Sequence, residues 1–289
     1  MKTVAPAGLP GTEPIVEHRS MLLGLAYRLL GSLDDAEDVL QEAYLRWRGT
    51  DLTTVREPRR YLSRVVTHLA LDRLKARLAE PYVGPWLPEP VDLSRTDLGP
   101  LDTVEARESL TLAVLHLLER LSPPERAVYV LRAAFDAPYE EIAETLGRTV
   151  SDCRQLHHRA RERIGTTARF SPTLAEQRQF LDAFVAAARG GDLNRLISLL
   201  SEQVTAWSDS GGRVRSALNP VPGREKVARY FVGIYHRYGD GLEVTPVEVN
   251  GQPGLLVRRR VGVHLLTVGM ADEVLVIANP DKLRHLIGA

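Results

Sequence analysis

The chain has 289 residues, 44% hydrophobic and 26% charged, with 37 Lys and Arg against 37 Asp and Glu. That length predicts roughly two domains with room for a small third, and the composition excludes disordered, collagenous and low-complexity classes. One cysteine, Cys153, excludes a disulfide framework or a multi-thiolate metal site; no apolar run approaches the ~18 residues of a membrane span; the opening MKTVAPAGLPGTEP has no apolar leader.

Three helical patterns come first. Leu22, Leu25, Ala26 and Leu29 recur at helical spacing before Gly31, and Ala36, Val39, Leu40, Ala43 and Trp47 repeat the pattern. Leu62, Val66 and Leu69 do so again after Pro58, which reads as a helix start. The zero net charge hides segregation. Residues 31–42 hold five acids and no Lys or Arg, residues 43–80 nine bases against four acids, and residues 148–169 six Arg against two acids. Such blocks inform on partners.

Residues 81–104 contain Pro81, Pro85, Pro88, Pro90 and Pro100 and read as an extended, stiff linker. Trp86 within it is unusual for a passive tether and is expected to dock on a domain. Helical patterning resumes over about 105–168. Ser122-Pro123-Pro124-Glu125 has capping-box spacing with Pro at the first helical position. A short helix with Ile142, Ala143 and Leu146 ends at Gly147, and another runs from about Ser151 to Ile164, which is helix-turn-helix spacing.

From about 172 two helices (174–189 and 192–201) lead into strand-like runs at Gln203–Asp209, Arg213–Leu218, Leu242–Val249, Leu255–Arg260, Val261–Val268 and Glu273–Ala278, with a helix at about 223–238. Ser210-Gly211-Gly212 and Asn250–Gly254 read as hairpin connections. This is an α+β domain of about 115 residues, an ordinary independent size.

On the helix at 59–78, Arg60, Arg64, Thr67, His68, Leu71 and Lys75 share one face opposite Leu62, Val66 and Leu69. A basic stripe backed by an apolar one suits a helix that tracks phosphates; a solvated charged face is the competing reading. On the helix at 151–164, Cys153, Leu156, Ala160 and Ile164 form the inward stripe, and Arg154, His158 and Arg161 lie opposite, with Gln155 and Arg159 beside them. Arg154 and Gln155, near the helix start, suit base edges, whereas Arg159, Arg161 and Arg163 suit phosphates. Asp34, Asp35, Glu37 and Asp38, followed by an apolar stripe, read as a protein-docking face. His157 and His158 lack partners at metal-ligand spacing, so neither a metal nor another cofactor is expected.

GSLDDAEDVLQEAYLRW, EPRRYLSRVVTHLALDRLKAR and LSPPERAVYVLRAAFDAPYEEIAETLGRTVSDCRQLHHRARERI, in that order, resemble the two helical domains of an extracytoplasmic-function (ECF) sigma factor of the sigma-70 family. YVGPWLPEPV, SDSGGRVRSALNPVPGREKVARYF and IANPDKL resemble the SigJ-type subgroup, which carries a C-terminal SnoaL-like (NTF2-like) extension. The resemblance implies two all-α sigma domains, the second a helix-turn-helix, plus an α+β cone-shaped barrel. It implies a region 2 domain at 13–80, a linker at 81–104 leading toward the RNA exit channel, a region 4 domain at 105–170 and a regulatory domain at 172–289.

It further implies core RNA polymerase and promoter DNA as partners. Asp35, Asp38 and Gln41 would dock polymerase; Arg60, Arg64, His68 and Lys75 would read the −10 element; Arg154, Gln155, His158, Arg159 and Arg161 the −35 element. Many such factors have Asn at the place of His68, and the extension's Asp-Gly-Gly-Gly-Lys stands here as Asp209-Ser210-Gly211-Gly212-Arg213. Trp86, Asp209, Gly211, Gly212, Arg213, Asn279, Pro280, Asp281 and Lys282 would join the extension to the sigma domains, in place of a separate anti-sigma factor. The expectation is a cytoplasmic, non-enzymatic transcription initiation factor, with a small-molecule ligand in the extension left open. The alternative is a one-component helix-turn-helix regulator with a ligand-sensing barrel. A SnoaL-like isomerase or hydrolase, drawing on Trp207, Asp209, His236, His264 and Asp272, leaves both polar helix faces unexplained.

Overall fold

The computed structural model describes residues 13–99, 101, 103–164, 173–239, 241–259, 262–268 and 272–287. Residues 1–12, the boundary between the last two expected domains at 165–172, and the strand junction at Arg260 and Val261 lie outside the described residues. The helices of the first half are α1 (Glu13–Glu17), α2 (Arg19–Leu30), α3 (Leu33–Arg48), α4 (Pro58–Ala79), α5 (Val104–Glu108), α6 (Leu112–Leu118), α7 (Pro123–Phe135), α8 (Tyr139–Leu146) and α9 (Val150–Ile164). Then come α10 (Leu174–Arg189), α11 (Leu193–Leu199), β1 (Thr205–Asp209), β2 (Val221–Pro222), α12 (Arg224–Tyr238), β3 (Glu243–Val249), β4 (Gln252–Arg259), β5 (Gly262–Val268), β6 (Glu273–Ile277) and α13 (Pro280–Ile287). Among the described residues no helix is long and apolar enough to cross a membrane.

These elements form two compact units that interleave along the chain. One comprises Met1–Ala79, Asp97–Ser109 and Leu121–Ala160, the other Glu80–Thr96, Leu110–Arg120 and Arg161–Ala289. Spatial grouping and the expected linear segmentation therefore differ over 80–120: most of the Pro-rich stretch, and α6, belong with the C-terminal α+β elements.

The all-helical unit is built on α2, α3 and α4, whose Leu22, Leu25, Leu29, Ala36, Val39, Leu62 and Val66 are almost wholly buried. Ser32 caps α3 by accepting the Asp35 N–H at 3.3 Å, and Asp34 and Asp35 in the first turn complement the helix dipole. Gly31 and Gly147, both left-handed, stop α2 and α8. At α7 the Glu125 carboxylate accepts from the Ser122 N–H (2.9 Å) and hydroxyl (2.6 Å), with Pro123 opening the helix.

Sequence reasoning gave no role to Arg28, which is 1% exposed inside this unit. Its guanidinium donates to Ser109 Oγ (2.8 Å) and to the carbonyls of Gly24 (3.0 Å), Ala106 (3.1 Å) and Leu98 (3.3 Å), and sits over the Phe135 ring at 5.2 Å. Burial lowers its pKa to about 10, which still leaves it charged at neutral pH. Gly24 makes this approach possible: a Cβ there would lie 1.9 Å from the Leu98 carbonyl oxygen.

The second unit holds one mixed six-stranded sheet, ordered β2-β1-β6-β5-β4-β3, in which β1 runs parallel to β6 and every other pairing is antiparallel. Its end strands, β2 and β3, do not pair with each other among the described residues. Period-2 alternation divides its side chains between two cores. Ala206, Leu255, Val257, Leu266 and Val274 pack with α10, α11 and α12, whereas Leu265, Leu275 and Ile277 pack with Leu87, Leu112 and Leu283.

Two local expectations are corrected. No strand forms over Arg213–Leu218: the left-handed Gly211 (φ +54°) and Gly212 (φ +74°) turn the chain away from β1, and the short β2 pairs with it instead. The β3–β4 connection is a two-residue Asn250-Gly251 turn, with Val249 opposite Gln252, so β4 starts three residues before the expected Leu255. Both turn residues have positive φ (+52° and +71°), which Asn-Gly favours and which matches the twist of a hairpin.

Candidate functional site

In the all-helical unit, α4 exposes Arg64, His68 and Lys75 and partly exposes Arg60, four residues of the expected basic stripe. Thr67 and Leu71, expected on that face, are buried; Thr67 turns its hydroxyl onto the Ser63 carbonyl (2.7 Å). Arg60 is ion-paired with Glu144 of α8, and Lys75 with Asp72 (2.9 Å). A phosphate ligand would have to draw both cations from carboxylates, at small cost because both pairs face solvent.

The helix-turn-helix comprises α8 and α9. Cys153 and Ala160 are buried against the unit, and burial pushes the Cys153 thiol pKa up, as for a structural rather than a reactive cysteine. Arg154, Gln155, His158, Arg159 and Arg161 are all exposed. Arg154 lies 5.5 Å above the Tyr139 ring, and the Tyr139 hydroxyl bonds His157 Nδ1 at 2.6 Å. The first helix thus supports the base of the second helix's polar face, so that Arg154 starts from a defined position.

On α3, Gln41 and Asp38 are exposed and Asp35 is half-buried. Arg73 of α4, which sequence reasoning missed, bridges Asp35 (2.9 Å) and Asp38 (2.6 Å). The acidic face therefore carries a cation at its edge. A patch of four acids within five residues facing a basic helix is the sequence signal for such a bridge, but pattern alone does not choose among the bases of α4.

The second unit brings together the residues from three distant segments. Asp209, 0% exposed at the end of β1, accepts from the Tyr82 hydroxyl (2.6 Å), the Leu87 N–H (2.8 Å), the Gly211 N–H (3.0 Å) and Lys282 Nζ (2.6 Å). Its main-chain carbonyl accepts from the N–H groups of Ala278 (2.7 Å) and Asn279 (2.9 Å). Lys282 Nζ lies 3.8 Å over the Trp86 ring and also donates to the Leu87 carbonyl. Asn279 donates to the Tyr82 hydroxyl (3.2 Å), and Arg213 pairs with Asp281 (3.2 Å) at the surface. Pro280, exposed, opens α13 and so places Lys282 in its first turn. Burial and the Asp209 carboxylate push the Tyr82 phenol above its ordinary range, which keeps it a donor. A side chain at Gly211 would displace Asn279 and strain the left-handed backbone (φ +54°), since a Cβ would lie 2.5 Å from Asn279 Nδ2.

Two further contacts fasten the same stretch. Asn250, 1% exposed, accepts from the Val91 N–H (2.9 Å) and donates to the Leu110 carbonyl (2.7 Å), while its own N–H donates to the Val91 carbonyl (2.8 Å). On α6, His116 meets Trp207 edge-on at 4.8 Å, and Arg120 pairs with Glu273 at 2.6 Å. Burial first, then Arg120, lowers the His116 pKa to about 4, so its ring is neutral. Tyr82, Leu87 and Asn250 were not legible as clasp residues. An aromatic four residues before Trp86 in a Pro-rich run was the available hint for Tyr82; Leu87 acts through its backbone, and Asn250 looked only like a turn residue.

Residues 15–79 match the Sigma-70 region 2 family and residues 111–164 the Sigma-70, region 4 family. The chain is 37% identical to the ECF RNA polymerase sigma factor SigJ of Mycobacterium tuberculosis, over 91% of this chain and 90% of that one. It is also similar to the crystal structure of Mycobacterium tuberculosis SigJ, with a TM-score of 0.75 and 34% identity over 95% of this chain and 98% of that one. The sigma factor RpoE of Bartonella quintana, solved with the anti-sigma factor NepR, overlaps 53% of this chain and 92% of its own at 19% identity and a TM-score of 0.40, a likeness too slight to carry its partner over.

Proposed function

From the premise that this chain belongs to the ECF family of sigma-70 RNA polymerase sigma factors, non-enzymatic proteins that join core polymerase, recognise promoters and initiate transcription, we propose that its C-terminal domain is SnoaL-like and acts as a fused regulator by clasping the linker. The single observation carrying this reading is the Asp209–Lys282 pair, buried between the end of β1 and α13, with Leu87 and Trp86 of the linker bound to it. A linker so held is fastened to the C-terminal domain, and a sigma factor must set the spacing of its two DNA-binding helices through that linker. The clasp thereby governs how readily the chain engages polymerase in the cytoplasm.

In the same reading α3 docks polymerase with Asp35, Asp38 and Gln41. The α4 stripe, Arg60, Arg64, His68 and Lys75, serves the −10 element, and Arg154, Gln155, His158, Arg159 and Arg161 on α9 serve the −35 element. The density of exposed Arg on α9, supported beneath by Tyr139, favours this assignment. The proposal concerns the fused domain alone and does not require that a separate anti-sigma factor be absent.

The test is transcription in vitro with core polymerase, comparing the full chain with full-length Asp209→Ala and Lys282→Ala. Deleting the whole C-terminal domain is a blunter tool, because it also strips the cover from Leu112 of α6. A changed yield of promoter-specific transcript from both variants supports the clasp. Wild-type yield and promoter choice from both would sink it.

A further inference from the structure

The C-terminal domain carries a groove of about 710 Å³ between α12 and the sheet face opposite the clasp. Its floor is apolar, formed by Val257 and Leu266 of the sheet and Phe231 of α12. Its rim is cationic: Arg215 and Arg237 are exposed beside it, and His264 lies buried within. Arg229, also at the rim, is matched by Glu225 at 2.7 Å. Among the described residues lining the groove there is no carboxylate. A cavity of this size suits a drug-sized ligand, and an apolar floor below convergent polar groups is how such sites are built.

We propose that this groove binds an amphipathic monoanion: a long-chain or aryl carboxylate whose apolar body lies on Val257, Leu266 and Phe231 and whose charge meets Arg215 and Arg237. The asymmetry of the lining carries the assignment. An uncharged ligand would leave the cationic rim without a role, and a cation would meet Arg215 and Arg237 on entry, where the neighbouring acid, Glu225, is already paired with Arg229. A free inorganic anion would not use the apolar floor. This binding does not depend on the clasp described above.

Dodecanoate serves as the probe, titrated calorimetrically into the full chain, with dodecan-1-ol and dodecyltrimethylammonium as neutral and cationic controls of equal chain length. Saturable binding of dodecanoate, at least tenfold tighter than either control, is expected. The full-length Arg215→Ala/Arg237→Ala variant, altered only at exposed positions and checked for an unchanged circular dichroism spectrum, should bind it about tenfold more weakly. Absence of saturable dodecanoate binding, equal binding of the alcohol or the ammonium, or undiminished binding by the double variant would each overturn the proposal. So would an oligoglutamate peptide that displaces dodecanoate at lower concentration, since that would make the site a surface for acidic peptides.

Discussion

Replacing Lys282 with alanine takes its ammonium from a carboxylate that has no solvent exposure, while leaving the Tyr82, Leu87 and Gly211 donors in place. Removing one partner of a buried ion pair costs about 3–5 kcal/mol, because the other charge stays desolvated. Three remaining donors hold Asp209 toward the low end, so the whole loss, with the Trp86 contact included, is ~3 kcal/mol. At 1.4 kcal/mol per decade, a loss of ~3 kcal/mol moves the local equilibrium for linker release by about a hundredfold. The Leu87 amide is the natural reporter, since its N–H donates directly to Asp209. Native-state hydrogen exchange should show its protection falling about a hundredfold in Lys282→Ala. Amides of α2 and α3, in the other unit, should keep theirs. Leu87 protection within threefold of wild type would refute the reasoning, for then burial of Leu87 and Val91 alone would hold the linker.

Three other outcomes follow from named contacts. Asn250→Gly keeps the positive-φ turn but removes two side-chain hydrogen bonds, to Val91 and Leu110, at about 1–3 kcal/mol for each buried group left unsatisfied. Exchange at Val91 should therefore quicken while the β3–β4 hairpin amides stay protected, and loss of the hairpin as well would contradict the separation of roles. The folded-state pKa of His116, about 4, lies below its ordinary 6.5. Its contribution to stability is thus complete above pH 6.5 and lost as pH falls toward 4, by up to roughly 3 kcal/mol. Burial raises the neighbouring Glu273 pKa, which works the other way and relieves a penalty as pH falls, so the net slope is shallower. His116→Phe should flatten the urea-midpoint profile over that window, and an unchanged profile would remove His116 as its source. In holoenzyme binding to promoter DNA, Arg159→Ala should weaken all sequences alike and lower the salt slope by about 1, whereas Arg154→Ala should relax discrimination at one base position by about 1–3 kcal/mol. Identical effects from the two would undo their division into phosphate and base contacts.

The helices of the all-helical unit were legible because each buries one periodic stripe: Val39 and Ala43 on α3, Leu62 and Val66 on α4, Cys153 and Ala160 on α9. Their exposed faces follow from the same period. The convergence of Asp209, Lys282 and Trp86 was not written in any period, and only the family resemblance grouped them. Arg28 was illegible for another reason. Arginine ordinarily stays at the surface, and nothing local announces that the carbonyls of Gly24, Leu98 and Ala106 will surround one. The missing strand at Arg213–Leu218 shows the limit of alternation, since two left-handed glycines at its start outweighed the pattern. Likewise α6 reads as part of its own helical segment, yet Leu112 is buried with Leu87 and Leu283, a preference that depends on apolar partners far along the chain.

β1 is five residues long, and its neighbouring side chains serve different masters. Ser208 bonds Ser216, which lines the groove beneath α12, while Asp209 next to it anchors the linker. A pleated strand offers no way to adjust this spacing by degrees, because moving the register by one residue exchanges its faces. An insertion or deletion within Thr205–Asp209 would present a carboxylate to the groove and a hydroxyl to Lys282, disabling both at once. This strand can thus vary by substitution but not by length. Its parallel partner β6 is tied to the same frame, since Asp209 sits in register with Ile277, five residues before Lys282.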